Sequence, residues 1–302
     1  MNRVSTQSEI TKASSPSTAY VGKSRRLARL FSPGSGRTII LPVDDSLIFG
    51  PKAGLEQVRR KLPNLLRDPP NALLAFIGLF RANNDILSHV PAIVNLTAST
   101  ALSHHTRKVL VTTIEQALQI DADAVAVHVN VTSQFEAEML RALGSTVREC
   151  ESYGMPLLAI MYPRAESASG DNNYESLKTK APQKYAQLVA HAARIAADLG
   201  ADIIKTKYTG SPDTFHAVVE ACEPIPIVIA GGPALPMAEM LRNAYGAVSA
   251  GAAGVSFGRN IFTRAVPQPF ITALKGVVHH GLTPAQARRR PLIHEPIEAT
   301  DN

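Results

Sequence analysis

The chain has 302 residues, 45% of them hydrophobic, which is enough for a sizeable core in one large α/β domain or two small ones. The formal charge is +6, but residues 1–37 hold seven basic residues and one acid, so the remainder is neutral. The chain after residue 37 is neutral, and only 5% of all residues are aromatic. It therefore lacks a row of basic residues to bind a phosphate backbone and aromatic side chains on which bases could stack, which argues against nucleic-acid binding.

Both ends of the chain are expected to lie outside the folded domain. Residues 1–21 are rich in Ser, Thr and Pro and show no apolar period, which is typical of a disordered tail. Residues 283–302 are polar and interrupted by proline. The predicted domain therefore spans residues 22–282.

Between these tails, short apolar runs alternate eight times with helical patterns, and most runs are continuous in Val, Ile, Leu and Ala, as in strands buried on both faces. The predicted strands are residues 38–45, 72–78, 92–98, 124–130, 156–163, 202–208, 226–232 and 254–257. The predicted helices are residues 55–66, 82–88, 114–119, 133–153, 181–199, 212–221, 235–250 and 267–280. This pattern predicts a (β/α)8 TIM barrel, with a doubly wound open sheet as the alternative.

The longest apolar runs are far shorter than the roughly 20 residues that a membrane span requires, so we expect a soluble protein. The two cysteines, Cys150 and Cys222, have no framework spacing, which indicates a reducing compartment without structural disulfides. A cytoplasmic location is therefore expected.

Lys205 is the most informative residue, because it lies inside an apolar strand that ends in a Thr-Gly turn (IIKTKYTG, 203–210). A buried ammonium is costly unless it is paired or loses its proton, and a neutral lysine can form a Schiff base with a carbonyl. Lys207, two residues on, is expected to share the lumen and to disfavour protonation of Lys205. Alternatively, one lysine reaches the strand end and the other pairs with a carboxylate.

Other polar residues lie at strand ends, which form the active face of a barrel. Asp44 could move protons during carbinolamine formation and collapse, and Tyr162, with an ordinary pKa near 10, could act as acid or base at a substrate hydroxyl. His128 and Asn130 are candidate hydrogen-bonding groups for the substrate. Alternatively, Asp44 or Asp45 caps a helix or loop, Tyr162 packs at the barrel rim, and His128 and Asn130 are buried structural polar residues.

The loops after strands seven and eight are candidate phosphate-binding loops, because backbone N–H groups of glycine-bearing loops at these positions often bind phosphate. The candidates are Gly231, Gly232, Gly258 and Arg259, unless the glycines merely close tight turns. The histidine pairs at 104–105 and 279–280 have no further ligand at a recognised spacing, so we expect surface residues and no metal site.

Segments over residues 22–280 resemble, in order, the Schiff-base (class I) aldolases of the DeoC/FbaB/LacD group. These segments are residues 22–38, LPVD (41–44), ASTALS (98–103), VHVN (127–130), MYPR (161–164), IKTKYTG (204–210), AGGP (230–233) and GRNIF (258–262). The resemblance implies Lys205 as the imine-forming lysine, Tyr162 as the general acid/base, Asp44 as its proton-handling partner and the two glycine loops as the phosphate site.

The family implies a metal-independent aldolase or transaldolase that acts on a phosphorylated ketose and an aldehyde, in a ring of several subunits. No cofactor is expected, because the iminium is itself the electron sink. Residues 99–103 and 128–130 are most similar to 2-amino-3,7-dideoxy-D-threo-hept-6-ulosonate synthases, which use aspartate semialdehyde, and residues 205–210 to archaeal-type fructose-bisphosphate aldolases. A thiolase-like acyl transfer from a phosphorylated diketone to coenzyme A is the alternative from another enzyme class, and a barrel that only binds a sugar phosphate is the non-enzymatic one.

One position departs from the family pattern. The family usually has Asp-His-Gly where this chain has Asp44-Asp45-Ser46. The change places a carboxylate and a serine beside the proposed proton shuttle, in place of a titratable imidazole and a flexible glycine. Asp45 is therefore a candidate substrate-binding residue that bears on substrate choice.

Overall fold

The computed structural model describes residues 18–51, 54–102, 104–168 and 170–289. Eight parallel strands form a closed barrel, in which the last strand pairs with the first. The predicted TIM barrel is thus confirmed, and the open-sheet alternative is wrong.

The strands are numbered in chain order. The barrel strands are β1 (Thr38–Pro42), β2 (Ala72–Ala75), β3 (Ala92–Asn95), β6 (Ala124–Val131), β7 (Leu157–Pro163), β10 (Ile203–Lys207), β11 (Ile227–Ala230) and β12 (Gly254–Ser256). Two short antiparallel hairpins, which the sequence does not predict, follow β3 and β7: β4 (Thr97–Ala98) with β5 (Val109–Leu110), and β8 (Ala165–Ser167) with β9 (Gly170–Asn172).

The helices that surround the barrel include all of the longer predicted ones, with ends that shift by a few residues. They are α1 (Thr18–Leu30), α2 (Asp45–Phe49), α3 (Val58–Leu65), α4 (Ile77–Ala82), α5 (Asn84–Leu87), α6 (Ile114–Leu118), α7 (Glu136–Tyr153), α8 (Leu177–Lys180), α9 (Pro182–Leu199), α10 (Pro212–Glu220), α11 (Met237–Ser249), α12 (Arg259–Phe262), α13 (Gln268–His280) and α14 (Pro284–Arg288). The predicted helix 82–88 is instead divided between α4 and α5. In the described part of the chain, no helix has the length and apolar character needed to cross a membrane.

The barrel strands are buried on both faces. Alternate residues such as Ile40, Leu74 and Ile160 fill the lumen, and the residues between them pack against the helices. At the amino ends of the strands, α1 covers the lumen: Leu30 is fully buried against the lumen cluster, and Arg29 pairs with the carboxylate of Asp123. The carboxyl ends of the strands lie at the opposite end of the barrel, which α1 does not cover and where an active site can form.

The structure corrects both predicted tail boundaries. The helix α1 begins at Thr18, inside the predicted tail 1–21. Its apolar face packs on the end of the barrel, and this tertiary contact has no local signal in the sequence. The helix α14 lies inside the predicted tail 283–302, with Thr283 as its N-cap and Ala287 buried. Residues 1–17 and 290–302 of the predicted tails lie outside the described residues.

The barrel depends on a close approach of β12 to β1 at Gly254. An added Cβ there would lie 1.9 Å from the carbonyl oxygen of Thr38, and the φ of +150° disfavours L side chains. We predict that Gly254→Ala lowers the free energy of unfolding by at least about 2 kcal/mol. Gly144→Ala in α7, where an added Cβ meets nothing within 4 Å, is the control and should not destabilise. Chemical denaturation measures both, and equal stability of the two variants contradicts the prediction.

Candidate active site

A cavity opens at the carboxyl ends of the barrel strands. Most of the predicted site residues line it: Asp44, Asp45, His128, Tyr162, Lys205, Gly231, Gly232, Gly258 and Arg259. Asn130 and Lys207 do not line this cavity.

Lys205 lies in the middle of β10, between Ile160 of β7 and Val228 of β11. It lines the cavity, and only 6% of the residue is exposed. Burial is the main effect on the pKa of its amine and lowers it; the nearby carboxylates of Asp44 and Asp45 oppose this shift without reversing it. The amine of Lys205 therefore loses its proton more readily than that of an exposed lysine.

Lys207 does not line the cavity with Lys205, but its Nζ lies 5.9 Å from the ring centroid of Tyr162, which does. Lys207 is the last residue of β10, and its ammonium lies 2.5 Å from a carboxylate oxygen of Glu175. The cation that helps to lower the pKa of Lys205 is instead Arg259, from the loop after β12. Lys207 is thus paired with a carboxylate, as in the alternative, and its side chain is mostly buried.

Tyr162 and His128 pack against each other across β7 and β6, with ring centroids 4.9 Å apart in an edge-on arrangement. Burial raises the pKa of Tyr162 far above the ordinary value that the sequence suggested, so its hydroxyl keeps its proton at neutral pH. Burial also lowers the pKa of His128 well below its usual value, so its imidazole is neutral. The Nε2 atom of His128 has no hydrogen-bond partner among the described residues, which leaves it available to a substrate.

Asp44 and Asp45 follow β1, and both carboxylates line the cavity. The side chain of Asn95 donates a hydrogen bond of 2.9 Å to Oδ2 of Asp44 and so fixes this carboxylate. Asp44 occupies the N-cap position of α2, but its side chain makes no capping hydrogen bond, contrary to the capping alternative. Asp45 lies 3.1 Å from Nε of Arg259, and burial, aided by the charge of Asp44, raises the pKa of Asp45.

The two glycine loops are held together tightly. A Cβ at Gly258 would lie 2.5 Å from the carbonyl oxygen of Pro42, so a larger residue does not fit there, and one at Gly231 would lie 3.0 Å from the ring of Phe257, which would have to move slightly. The side-chain amide of Asn260 donates hydrogen bonds to the carbonyl oxygens of Gly231 and Pro233. The main chain is thus exposed to the cavity along both loops, as a phosphate site requires.

Asn130 does not line the cavity, and its buried Oδ1 has no hydrogen-bond partner among the described residues. It is fully buried, and its amide donates a hydrogen bond of 2.7 Å to the carbonyl oxygen of Thr106. It therefore holds the segment between β4 and β5, which carries the cavity residues His105 and Lys108.

Lys108 and Arg164 are cavity residues that are absent from the sequence-based site. Lys108 is 3% exposed; burial, followed by the charge of Arg164, lowers its pKa to about 8. Its ammonium donates to the hydroxyl of Ser99 at 2.7 Å, and Nε of Arg164 donates to Asn173 at 2.7 Å. Within the described residues, neither cation has a carboxylate within ion-pair distance.

The histidine pairs differ from the surface expectation at two positions. The His104 side chain is 53% exposed, but that of His105 is 15% exposed, lines the cavity and lies 2.7 Å from Oδ2 of Asp171. Burial lowers the pKa of His105 to about 4, with Arg164 as the next cause. His280 is exposed and His279 half-buried. No group of three or more His, Cys, Asp or Glu among the described residues could hold a metal ion.

A profile described as DeoC/LacD family aldolase matches residues 38–264. The chain is 38% identical over 262 residues to 2-amino-3,7-dideoxy-D-threo-hept-6-ulosonate synthase 1 of Archaeoglobus fulgidus, which covers 86% of this chain and 92% of that protein. It is 33% identical over 267 residues to 3-hydroxy-5-phosphonooxypentane-2,4-dione thiolase of Klebsiella pneumoniae, which covers 88% of this chain and 84% of that one.

Among solved structures, an archaeal fructose-1,6-bisphosphate aldolase whose catalytic lysine is covalently bound to the carbinolamine intermediate of its substrate superimposes with a TM-score of 0.74. The match has 29% identity and covers 85% of this chain and 99% of that one. A further archaeal fructose 1,6-bisphosphate aldolase gives a TM-score of 0.73 at 29% identity, with coverage of 86% and 100%.

Proposed function

Since this chain belongs to the DeoC/LacD family of aldolases and is an enzyme of the class I aldolase type, we propose that it joins a phosphorylated three-carbon ketose to an anionic aldehyde. Lys205 is the proposed nucleophile. The observation that carries the proposal is the amine of Lys205, which is buried at the cavity and has a lowered pKa.

In the proposed reaction, the neutral amine of Lys205 attacks the ketone carbon of the donor and gives a carbinolamine. Loss of water leaves an iminium, and loss of a proton from the adjacent carbon then gives an enamine. The enamine carbon forms the new C–C bond to the aldehyde, whose oxygen takes a proton from the hydroxyl of Tyr162, and the proton lost from the donor carbon returns to Tyr162. Water then hydrolyses the new iminium, which releases the product and the amine of Lys205. Asp44, fixed by Asn95 at 2.9 Å, is placed to relay the protons of carbinolamine formation and collapse.

The donor phosphate is proposed to bind the loops after β11 and β12. Gly231, Gly232 and Gly258 supply main chain at the cavity wall, and Arg259 supplies a guanidinium that can bind two phosphate oxygens. The neutral imidazole of His128 is available to a hydroxyl of the substrate.

The acceptor is proposed to be anionic because Lys108 and Arg164 line the same cavity without a carboxylate partner among the described residues. Two buried cations that repel each other are stabilised when an anion binds between them. A carboxylate, as in aspartate semialdehyde, and a phosphate, as in glyceraldehyde 3-phosphate, share this chemistry. The second acceptor would make the chain a fructose-bisphosphate aldolase.

A cytoplasmic homo-oligomer is also part of the proposal. Cys150 and Cys222 are buried free thiols, which suits a reducing compartment. The segment that follows Lys108 exposes three consecutive apolar residues, Val109, Leu110 and Val111, each about half accessible, and such a patch suits contact with another subunit.

Borohydride trapping tests the nucleophile. With dihydroxyacetone phosphate and borohydride, we predict a reduced adduct that peptide mass spectrometry maps to Lys205, because only a neutral amine in reach of the ketone forms an imine. Lys205→Arg should abolish the adduct, whereas Lys184→Arg, on the exposed face of α9, should retain it. An adduct mapped to Lys108, or none with any ketose phosphate, contradicts the proposal.

Acceptor kinetics test the cationic pair. We predict that Lys108→Met and Arg164→Met each raise KM for aspartate semialdehyde or glyceraldehyde 3-phosphate by about tenfold or more, since a charge-assisted contact is lost. KM for the neutral acceptor glycolaldehyde should stay within about twofold of the original value. Comparison of the two anionic aldehydes identifies the acceptor class, and Lys184→Met controls for the loss of a surface charge. Equal losses for neutral and anionic acceptors contradict an anionic subsite.

Light scattering of the purified full chain tests assembly. A homo-oligomer has a mass that is a multiple of 32.3 kDa, and Val109→Asp should shift it towards the monomer. A mass of one chain at micromolar concentration contradicts the expected ring.

A further inference from the structure

Asp45 and Arg259 meet at the edge of the cavity, where two neighbouring barrel strands end. Asp45 begins α2 after β1, and Arg259 begins α12 after β12, which pairs with β1. Oδ2 of Asp45 lies 3.1 Å from Nε of Arg259, and both side chains are partly exposed. The pair thus joins the predicted phosphate loop to the loop that carries Asp44.

The helix α2 contacts the guanidinium with a second side chain. Phe49, four residues after Asp45 and so on the same side of the helix, has its ring centroid 5.7 Å from the guanidinium carbon of Arg259. The carboxylate of Asp45 and the ring of Phe49 together restrict the rotation of the long, flexible Arg259 side chain.

The contact leaves most of the guanidinium available. An arginine has five N–H donors, and the nearest atoms of the Asp45–Arg259 ion pair are Oδ2 and Nε, 3.1 Å apart. In the described part of the chain, the Arg259 side chain donates no hydrogen bond and forms no ion pair other than that with Asp45. Its two terminal nitrogens therefore remain for a ligand, and they have the spacing that matches two oxygens of one phosphate.

We propose that Asp45 is a positioning residue, which holds Nε of Arg259 so that the terminal nitrogens bind the phosphate of the donor. This inference rests on the proposed function, since it needs a phosphorylated donor at the loops after β11 and β12. Asp45 does not itself bind the substrate; it increases the preference for phosphorylated over unphosphorylated ketones. Asp45 would then favour phosphorylated donors through Arg259, because its carboxylate attracts the guanidinium and restricts its position.

The test compares imine trapping by two donors, dihydroxyacetone phosphate and dihydroxyacetone, which differ only in the phosphate. In Asp45→Ala, the concentration of the phosphorylated donor that gives half-maximal trapping on Lys205 should rise about tenfold, and that of dihydroxyacetone should stay within about twofold. Asp45→Glu keeps a carboxylate that can pair with the guanidinium and should restore most of the affinity, whereas Asp45→Asn keeps the size of the side chain without its charge and should not. Asp198→Ala breaks a comparable Asp–Arg pair on the surface of α9 and should change neither value.

A double-mutant cycle makes the test specific to positioning. If Asp45 acts through Arg259, then Asp45→Ala should add less than about twofold in an Arg259→Ala background. A full additional loss in that background, an equal loss for both donors, or tighter binding of the phosphorylated donor by Asp45→Ala overturns the inference. Failure of the proposed function is a different result, namely no adduct on Lys205 with either donor in the unmodified protein.

Discussion

The rest of the site depends on the burial of the Lys205 amine away from water. The closed barrel buries Lys205 among lumen residues, and this burial outweighs the attraction of the ammonium to Asp44 and Asp45. A carboxylate in direct contact would restore the charge and end the nucleophilicity of the amine. In the described structure, the nearest carboxylates are instead engaged elsewhere, Asp44 with Asn95 and Asp45 with Arg259.

The charges around this amine divide the cavity into regions of different chemistry. Arg259 lies at the glycine loops, and Lys108 with Arg164 forms a second cationic region within the same cavity. His128 and Tyr162 also line the cavity, and burial keeps both rings uncharged at neutral pH. Such an arrangement suits two anionic reactants whose reacting carbons meet at a neutral centre, where proton transfers are not hindered by fixed charge.

The fold and the chemistry at the strand ends were predictable because both follow from local pattern. Buried parallel strands read as continuous apolar runs, and a barrel brings their carboxyl ends to one face, so Lys205 and Tyr162 could be assigned to one site. The contribution of His105 and Lys108 could not be predicted, since it depends on the β4–β5 hairpin, which has no periodic signal, and on distant contacts such as that of Asn130 with Thr106. Arg164 directly follows β7 and is within reach of the same strand-end reasoning. The ion pair of Lys207 with Glu175 likewise joins residues that are 32 positions apart in the chain.

The pKa of Lys205 in the folded protein tests the central claim most directly. NMR of protein with ¹⁵N-labelled lysine follows each side-chain nitrogen as a function of pH, and Lys205→Arg assigns the signal. Because the folded-state pKa is lowered, the amine should lose its proton as pH rises through a midpoint clearly below the ordinary lysine value of 10.5. Imine formation with a ketone should increase over the same pH range and then level off. A midpoint at or above 10.5 would contradict the account.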